Sequence, residues 1–269
     1  MTFETQNILI AFGLSTIAGL STGFGSLIGL FTKKTNTSFL ALSLGFSAGV
    51  MLFVSFIDII PKANGILSEV YPEKIAYRYT LFSFFAGIAI TMIIDKLIPD
   101  YKNPHHGHLV EEINDIPQNT NLYRIGIFTA LAITVHNFPE GMVTFAGYLA
   151  DPNMGITITS AIALHNIPEG IAVAIPIYFS TGSKKKAFWF SFISGLSEPL
   201  GALFAYGLLS YFDTSFNFGF LFAAVAGVMV YISLEELIPT SRVYDKSNLS
   251  VYGLIVGMFV VALSIILMS

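Results

Sequence analysis

The sequence predicts an all-α integral membrane protein with eight transmembrane helices. Of its 269 residues, 54% are hydrophobic and only 11% are charged, whereas about 25% of the residues in a typical soluble domain are charged. The mean hydropathy is +0.72. A helix needs about 20 apolar residues to cross a bilayer, and such stretches occupy residues 7–31, 38–60, 79–98, 123–148, 155–179, 186–211, 216–238 and 251–268.

These eight spans leave little chain for a soluble domain, so a single transmembrane domain is expected over residues 1–269. The first span has no basic segment and no cleavage site, so we expect no removable signal peptide. The chain has no cysteine, which excludes disulfide bonds and thiolate metal ligands. Any metal ligand must therefore be a histidine, a carboxylate, an amide or water.

The basic residues predict the orientation. If the N-terminus lies outside, ten lysine and arginine residues fall on the inner side of the membrane and three fall on the outer side. This distribution satisfies the positive-inside rule. Both termini are therefore expected outside, and the longest connecting segment, at about 99–122, is expected in the cytoplasm.

The first three spans resemble the last three. Corresponding spans are five apart, an odd number, so the two copies must cross the membrane in opposite directions as an inverted repeat. The predicted arrangement is 3+2+3, with helices 1–3 related to helices 6–8. Chance similarity is the alternative, because small residues are common where membrane helices pack closely. The matches pair residues 17–21 with 193–197, Gly25 with Gly201, residues 48–51 with 226–229, Ser55 with Ser233, Asp58 with Glu236 and Pro61 with Pro239.

Spans 4 and 5 contain the same six-residue phrase, His-Asn-Phe-Pro-Glu-Gly at 136–141 and His-Asn-Ile-Pro-Glu-Gly at 165–170. In each phrase the histidine and the glutamate are four residues apart and share one helix face, and both are ligands for metals such as Zn²⁺. A carboxylate at the bilayer centre costs about 2.5–3.5 kcal/mol, so packing does not explain two of them. The pattern predicts a divalent metal site inside the membrane, where two facing helices with shared carboxylates can hold two ions.

Prolines in the same region predict local distortion. Pro139 and Pro168 cannot donate a backbone hydrogen bond, so each is expected to kink its helix and free a carbonyl group. Span 6 adds Glu198, which is the only charge in a 25-residue apolar run. We interpret Glu198 as a metal ligand from a third helix. The alternative is that Glu198 only forms a hydrogen bond that pairs two helices. The candidate metal ligands are His136, Asn137, Glu140, His165, Asn166, Glu169 and Glu198.

The two phrases, together with Ser197-Glu198-Pro199, resemble the ZIP family of divalent metal transporters over essentially the whole chain, and in particular its bacterial ZupT-type branch. The resemblance implies secondary-type import of zinc across the bacterial inner (cell) membrane, with iron, manganese, cobalt and cadmium as further candidate ions. It implies that one ion is held by His136, Glu140, His165 and Glu169. It also implies a second ion held by Asn137, Glu140, Asn166, Glu169 and Glu198.

An intramembrane zinc-dependent hydrolase is the alternative function. Such an enzyme needs an activated water and a separate general base, and neither phrase offers a spare base. A channel is disfavoured because channels usually build symmetric rings. We therefore expect no enzyme activity and no catalytic cofactor. The expected partners are divalent metal ions and the lipid bilayer, not nucleic acid, and a homodimer is left open.

Two groups of residues outside the central site have two possible interpretations each, one functional and one purely structural. The segment between spans 3 and 4 contains His105, His106 and His108, which suit transient metal capture or belong to a simple polar linker. Asp58 and Glu236 are placed at the outer end of span 2 and the inner end of span 7. There they either attract and release ions or are ordinary solvated helix ends.

Overall fold

The computed structural model describes residues 4–31, 37–97, 121–211, 214–243, 245 and 247–268. Within these ranges the regular structure is entirely helical. Two π-helical segments, Ser55–Ile59 and Ser233–Leu237, continue α2 into α3 and α9 into α10. The α-helices are α1 (Thr5–Phe31), α2 (Thr37–Val54), α3 (Ile60–Ser68), α4 (Glu73–Leu97), α5 (Asn121–Ala150), α6 (Pro152–Thr181), α7 (Lys184–Gly195), α8 (Ser197–Tyr211), α9 (Thr214–Ile232), α10 (Ile238–Val243) and α11 (Leu249–Met268).

Helices cover all eight predicted spans, and the prediction of an all-α membrane protein is confirmed. The fourth predicted span lies on α5, which is 30 residues long and carries the first phrase. Its composition is less apolar than that of the other seven spans. Seven stretches in the described part of the chain are long and apolar enough to cross a membrane: Thr5–Phe31, Ser38–Ser68, Glu73–Lys96, Pro152–Ile175, Lys184–Tyr211, Phe218–Val243 and Leu249–Leu267.

Three of the predicted spans are not single α-helices, and proline explains each departure. In spans 2 and 7 a π-helical segment precedes Pro61 and Pro239. A proline lacks the N–H that would continue the α-helical pattern, and the backbone adapts by taking one extra residue into the turn. In span 6, α7 ends before Leu196 and α8 begins after it, because Pro199 cannot donate to the carbonyl of Gly195.

The helices contact one another in two groups. One group contains α1, α5, α6, α7 and α8, and the other contains α2, α3, α4, α9, α10 and α11. The groups meet chiefly where α2 contacts α6 and where α5 contacts α9, and to a lesser extent where α11 contacts α6 and α8 contacts α9. Met51, Phe145 and Phe222 are fully buried in an apolar cluster that draws residues from both groups. This cluster holds the phrase-bearing helices against the second group.

Candidate metal site

One residue, Asp151, separates α5 from α6, so the two helices that carry the phrases form a tight hairpin. The Asp151 carboxylate accepts hydrogen bonds from the backbone N–H groups of Asn153 (2.9 Å) and Met154 (3.4 Å) and thereby caps α6. Lys62 of α3 donates to the same carboxylate at 2.7 Å, and this hydrogen bond lowers the pKa of Asp151. The hairpin therefore fixes the position of each phrase relative to the other.

This hairpin brings the two histidines to the same depth. His136 lies 15 residues before Asp151 and His165 lies 14 residues after it, which is about 22 Å along either helix at 1.5 Å per residue. Glu140 is closer to the turn than this level, and Glu169 is farther from it. The four side chains consequently lie in one row along the interface between α5 and α6.

The shortest contacts in this row run between the helices. His165 Nε2 lies 3.1 Å from Glu140 Oε1 in a hydrogen bond. His136 Nε2 lies 3.2 Å from Glu169 Oε1 without the alignment of a hydrogen bond. Within a single phrase, His165 and Glu169 are 4.0 Å apart. The imidazole of each phrase is thus closest to the carboxylate of the other phrase, and the site is shared between α5 and α6.

The third helix reaches the same site through Glu198. Asn166 donates a hydrogen bond from Nδ2 to Glu198 Oε1 and another to the carbonyl of Ala18 at 2.9 Å. Glu198 is fully buried in the first turn of α8, where the positive end of the helix dipole favours a carboxylate. The break at Leu196 therefore places a helix N-terminus, and with it the third carboxylate, against the hairpin.

Glycines allow this close packing. A Cβ added to Gly141 would collide with the backbone of Glu198, and a Cβ added to Gly170 would collide with the carbonyl oxygen of Thr22. The last residue of the first phrase thus touches α8, and the last residue of the second phrase touches α1. Each phrase therefore admits a different neighbouring helix at its glycine.

All seven candidate ligands are buried, at most 4% exposed, and several of their polar atoms have no hydrogen-bond partner among the described residues. Leaving such an atom unpaired in the interior costs about 1–3 kcal/mol. The atoms concerned are imidazole nitrogens, carboxylate oxygens and amide groups, which are the ligand types expected for divalent ions. They are His136 Nε2, Asn137 Oδ1 and Nδ2, Glu140 Oε2, His165 Nδ1, Asn166 Oδ1, Glu169 Oε1 and Oε2, and Glu198 Oε2.

In the described residues, no three His, Asp or Glu side chains already surround one position as a metal centre would. The imidazoles face the carboxylates instead of a common point. Binding an ion in this row therefore requires the imidazole and carboxylate groups to turn from one another toward a common point.

The comparison with known sequences decides the family. A sequence model of the ZIP zinc transporter family matches residues 99–265, more than half of the chain. This chain belongs to the ZIP family. It is 53% identical to the zinc transporter ZupT of Lysinibacillus sphaericus over 97% of this chain and 98% of that protein. The zinc transporters ZupT of Streptococcus mutans and Nitratidesulfovibrio vulgaris are 52% and 50% identical, each over 98% of this chain and 99% of the relative.

Membership in the ZIP family confirms the resemblance seen in the sequence, including its ZupT-type branch. The family consists of zinc transporters, so this ZIP chain is a membrane transport protein and not the intramembrane hydrolase that the sequence left as an alternative. His105, His106 and His108 lie outside the described residues. Pro139 and Pro168, at which we expected kinks, lie inside the continuous helices α5 and α6.

Sequence reasoning missed one neighbour of the site in this ZIP chain. It placed Glu236 at the inner end of span 7, but Glu236 Oε2 lies 3.6 Å from His136 Nδ1 and its side chain is only 15% exposed. The signal that pointed toward it was the acidic residue at the matched position of the repeat, Asp58. The match to Asp58 singled out Glu236 but did not indicate its contact with His136.

Proposed function

We propose that this ZIP chain imports divalent metal ions, zinc foremost, into the cytoplasm through a binuclear site on α5, α6 and α8. One observation carries the proposal: seven buried side chains of metal-ligand type lie on α5, α6 and the start of α8, and many of their polar atoms have no hydrogen-bond partner among the described residues. A buried polar group without a hydrogen bond is costly, and a bound cation would satisfy these lone pairs. The relatives named as zinc transporters make zinc the first candidate.

We assign the first ion to the row of cross-paired residues, His136, Glu140, His165 and Glu169. The contacts between Glu140 and His165 and between His136 and Glu169 support this assignment. We assign the second ion to Asn137, Asn166 and Glu198, with Glu140 and Glu169 shared. The hydrogen bond between Asn166 and Glu198 supports the second group. Nitrogen and carboxylate ligands suit Zn²⁺ and also admit iron, manganese, cobalt and cadmium ions.

An inverted repeat of helices 1–3 and 6–8 is the architecture that we propose around this site. Gly19 and Gly195 occupy matched positions, and a Cβ on either residue would meet the carbonyl oxygen of the other. Contact between equivalent residues is expected where a two-fold axis passes between them. The two π-helical segments begin at the matched serines Ser55 and Ser233, which supports the same relation.

Contacts with the hairpin support this repeat independently. A Cβ on Gly25 of α1 would meet the carbonyl oxygen of Ile167, and one on Gly201 of α8 would meet that of Phe138. Gly25 and Gly201 are matched by the repeat, and Phe138 and Ile167 hold the third position of the two phrases. The α5–α6 hairpin therefore relates to α1 and α8 in the same way on its two sides. We propose a single transmembrane domain in the cell membrane with both termini outside.

Metal uptake into proteoliposomes tests the function. Vesicles that contain the wild-type protein should accumulate Zn²⁺ faster than empty vesicles. Glu140→Gln and Glu169→Gln should each abolish the protein-dependent uptake, because each carboxylate is assigned to both ions. Glu69→Gln is the matched control, since Glu69 is exposed and far from the hairpin in sequence. Uptake equal to that of empty vesicles for the wild-type protein refutes the function, and normal uptake by both variants refutes the site.

A further inference from the structure

Carboxylates lie on both sides of the His136 imidazole. Its Nε2 is 3.2 Å from Glu169 Oε1, inside the candidate metal site. Its Nδ1 is 3.6 Å from Glu236 Oε2, on the second group of helices. The His136 side chain is only 5% exposed and that of Glu236 15% exposed, so both groups are largely shielded from solvent. Glu236 is thus close to the one nitrogen of His136 that the candidate site does not use.

Glu236 reaches His136 because of the π-helical segment. Ile238 donates its backbone N–H to the carbonyl of Ser233, five residues earlier, and this wider turn changes the direction of the side chains within it. Glu236 consequently faces α5, whereas the neighbouring Glu235 is exposed. Isolated π-helical turns often occur at functional sites.

Imidazole chemistry gives this contact a consequence. A neutral imidazole has one N–H and one lone pair, and the group that accepts the N–H decides which nitrogen can bind a metal. A carboxylate beside Nδ1 favours the proton there and leaves the Nε2 lone pair free. At 3.6 Å the two atoms are beyond hydrogen-bond distance. The hydrogen bond therefore requires the two side chains to approach each other by a few tenths of an ångström.

The second phrase has no such arrangement. His165 Nδ1 is buried without a hydrogen-bond partner among the described residues. Asp58, which the repeat matches to Glu236, lies instead within the electrostatic influence of Lys62 and Asp151 at the α5–α6 turn. Among the described residues, only the His136 imidazole therefore has a carboxylate near its Nδ1, although both phrases have histidine, asparagine and glutamate at the same positions.

We propose that Glu236 is a positioning residue, which holds His136 in the tautomer and ring orientation that present Nε2 to the metal ion. This inference rests on the proposed metal site. Outer carboxylates that orient a histidine ligand typically contribute about 10- to 100-fold to metal affinity, so we expect an effect of this size. Glu236 acts through His136 and is not itself a ligand of the first ion.

Co²⁺ titration of the purified full-length protein in detergent tests this role, read by the visible absorption of the bound ion. Glu236→Ala should weaken Co²⁺ binding about 10- to 100-fold and change the absorption spectrum. Glu236→Gln should recover part of the affinity, since its amide oxygen can accept the Nδ1–H bond. Glu235→Gln and Asp58→Asn are the matched controls, and both should bind Co²⁺ as the wild type does.

A double-mutant cycle with His136→Ala separates positioning from direct ligation. If Glu236 acts through His136, then Glu236→Ala should cause little further loss in the His136→Ala background. Equal losses in both backgrounds would overturn the inference, as would wild-type affinity and spectrum in Glu236→Ala or an equal effect of Glu235→Gln. Absence of Co²⁺ binding by the wild-type protein would instead count against the metal site itself, so the two failures are distinguishable.

Discussion

Gly141 sets the distance between the hairpin and the third carboxylate, and Gly141→Ala should therefore weaken metal binding. A Cβ at this position would lie 2.5 Å from the carbonyl carbon and 2.6 Å from the Cα of Glu198, whereas ordinary contacts begin at 3.4 Å. The start of α8 must consequently move by about 1 Å. Metal–ligand distances are held to about 0.2 Å, so this shift is several times larger than a ligand tolerates.

The expected magnitude follows from that displacement. Overpacking of a buried contact costs about 1–3 kcal/mol of stability, and misplacing Glu198 should reduce metal affinity by about 10- to 100-fold. Gly170→Ala provides a comparison, because its Cβ would collide with Thr22, which is not a candidate ligand. It should lose similar stability but less affinity. Gly207→Ala is the control on α8, since nothing lies within 4 Å of its added Cβ.

Thermal melts and competition with a fluorescent zinc chelator, both on detergent-purified protein, supply the two measurements. The reasoning predicts the order Gly141→Ala, Gly170→Ala, Gly207→Ala for decreasing loss of Zn²⁺ affinity. Wild-type affinity in Gly141→Ala, despite a lowered melting temperature, would refute the link between this glycine and the position of Glu198. So would an equal loss of affinity in Gly207→Ala.

Three further predictions follow from the same geometry. Glu198→Gln should alter the relative uptake of Zn²⁺, Fe²⁺ and Mn²⁺ in proteoliposomes more than it abolishes transport, because Glu198 is assigned to one ion; complete loss for all three ions would contradict this. Zn²⁺ uptake should fall as the external pH is lowered, because metal binding needs neutral imidazole and ionised carboxylate; a steady rise with acid would indicate proton-driven import instead. Asp151→Asn keeps a good capping residue but removes the charge paired with Lys62, so thermal stability at pH 7 should fall by less than about 1 kcal/mol for this partly exposed pair. Since the pKa of Asp151 is lowered in the folded protein, that difference should vanish as the pH falls through the lowered value, below about 3.9, and a difference that persists in acid would contradict the ion pair.

The sequence predicted most of the fold because membrane helices are long, apolar and locally determined. It also predicted a candidate ligand set, since histidine and carboxylate are costly at bilayer depth unless they have a role. It did not predict that each imidazole would lie closest to the carboxylate of the other phrase. That pairing depends on the single-residue turn at Asp151 and on the helix rotation, which only the folded hairpin defines.

The two π-helical segments also could not be predicted from the sequence. Pro61 and Pro239 indicated a disturbance, but a proline permits a kink, a break or a widened turn, and packing selects among them. At Pro199, by contrast, the helix is broken between α7 and α8, and no π-helical segment forms in this described part of the chain. The contact of Glu236 with His136 depends on this selection, and so Glu236 could not be placed from its position in the sequence.

The single-residue link between α5 and α6 has a consequence for how an ion can leave. Sliding one helix along the other by one turn, about 5.4 Å, would require linker length that Asp151 alone does not provide. The spacing between the four residues that we propose as ligands of the first ion is therefore fixed by covalent connectivity. Loosening must come from rotation of the side chains or from the helices that surround the hairpin. Glu236, contributed by the other group of helices, is the contact of His136 that such a rearrangement would change while the ligand spacing stays the same.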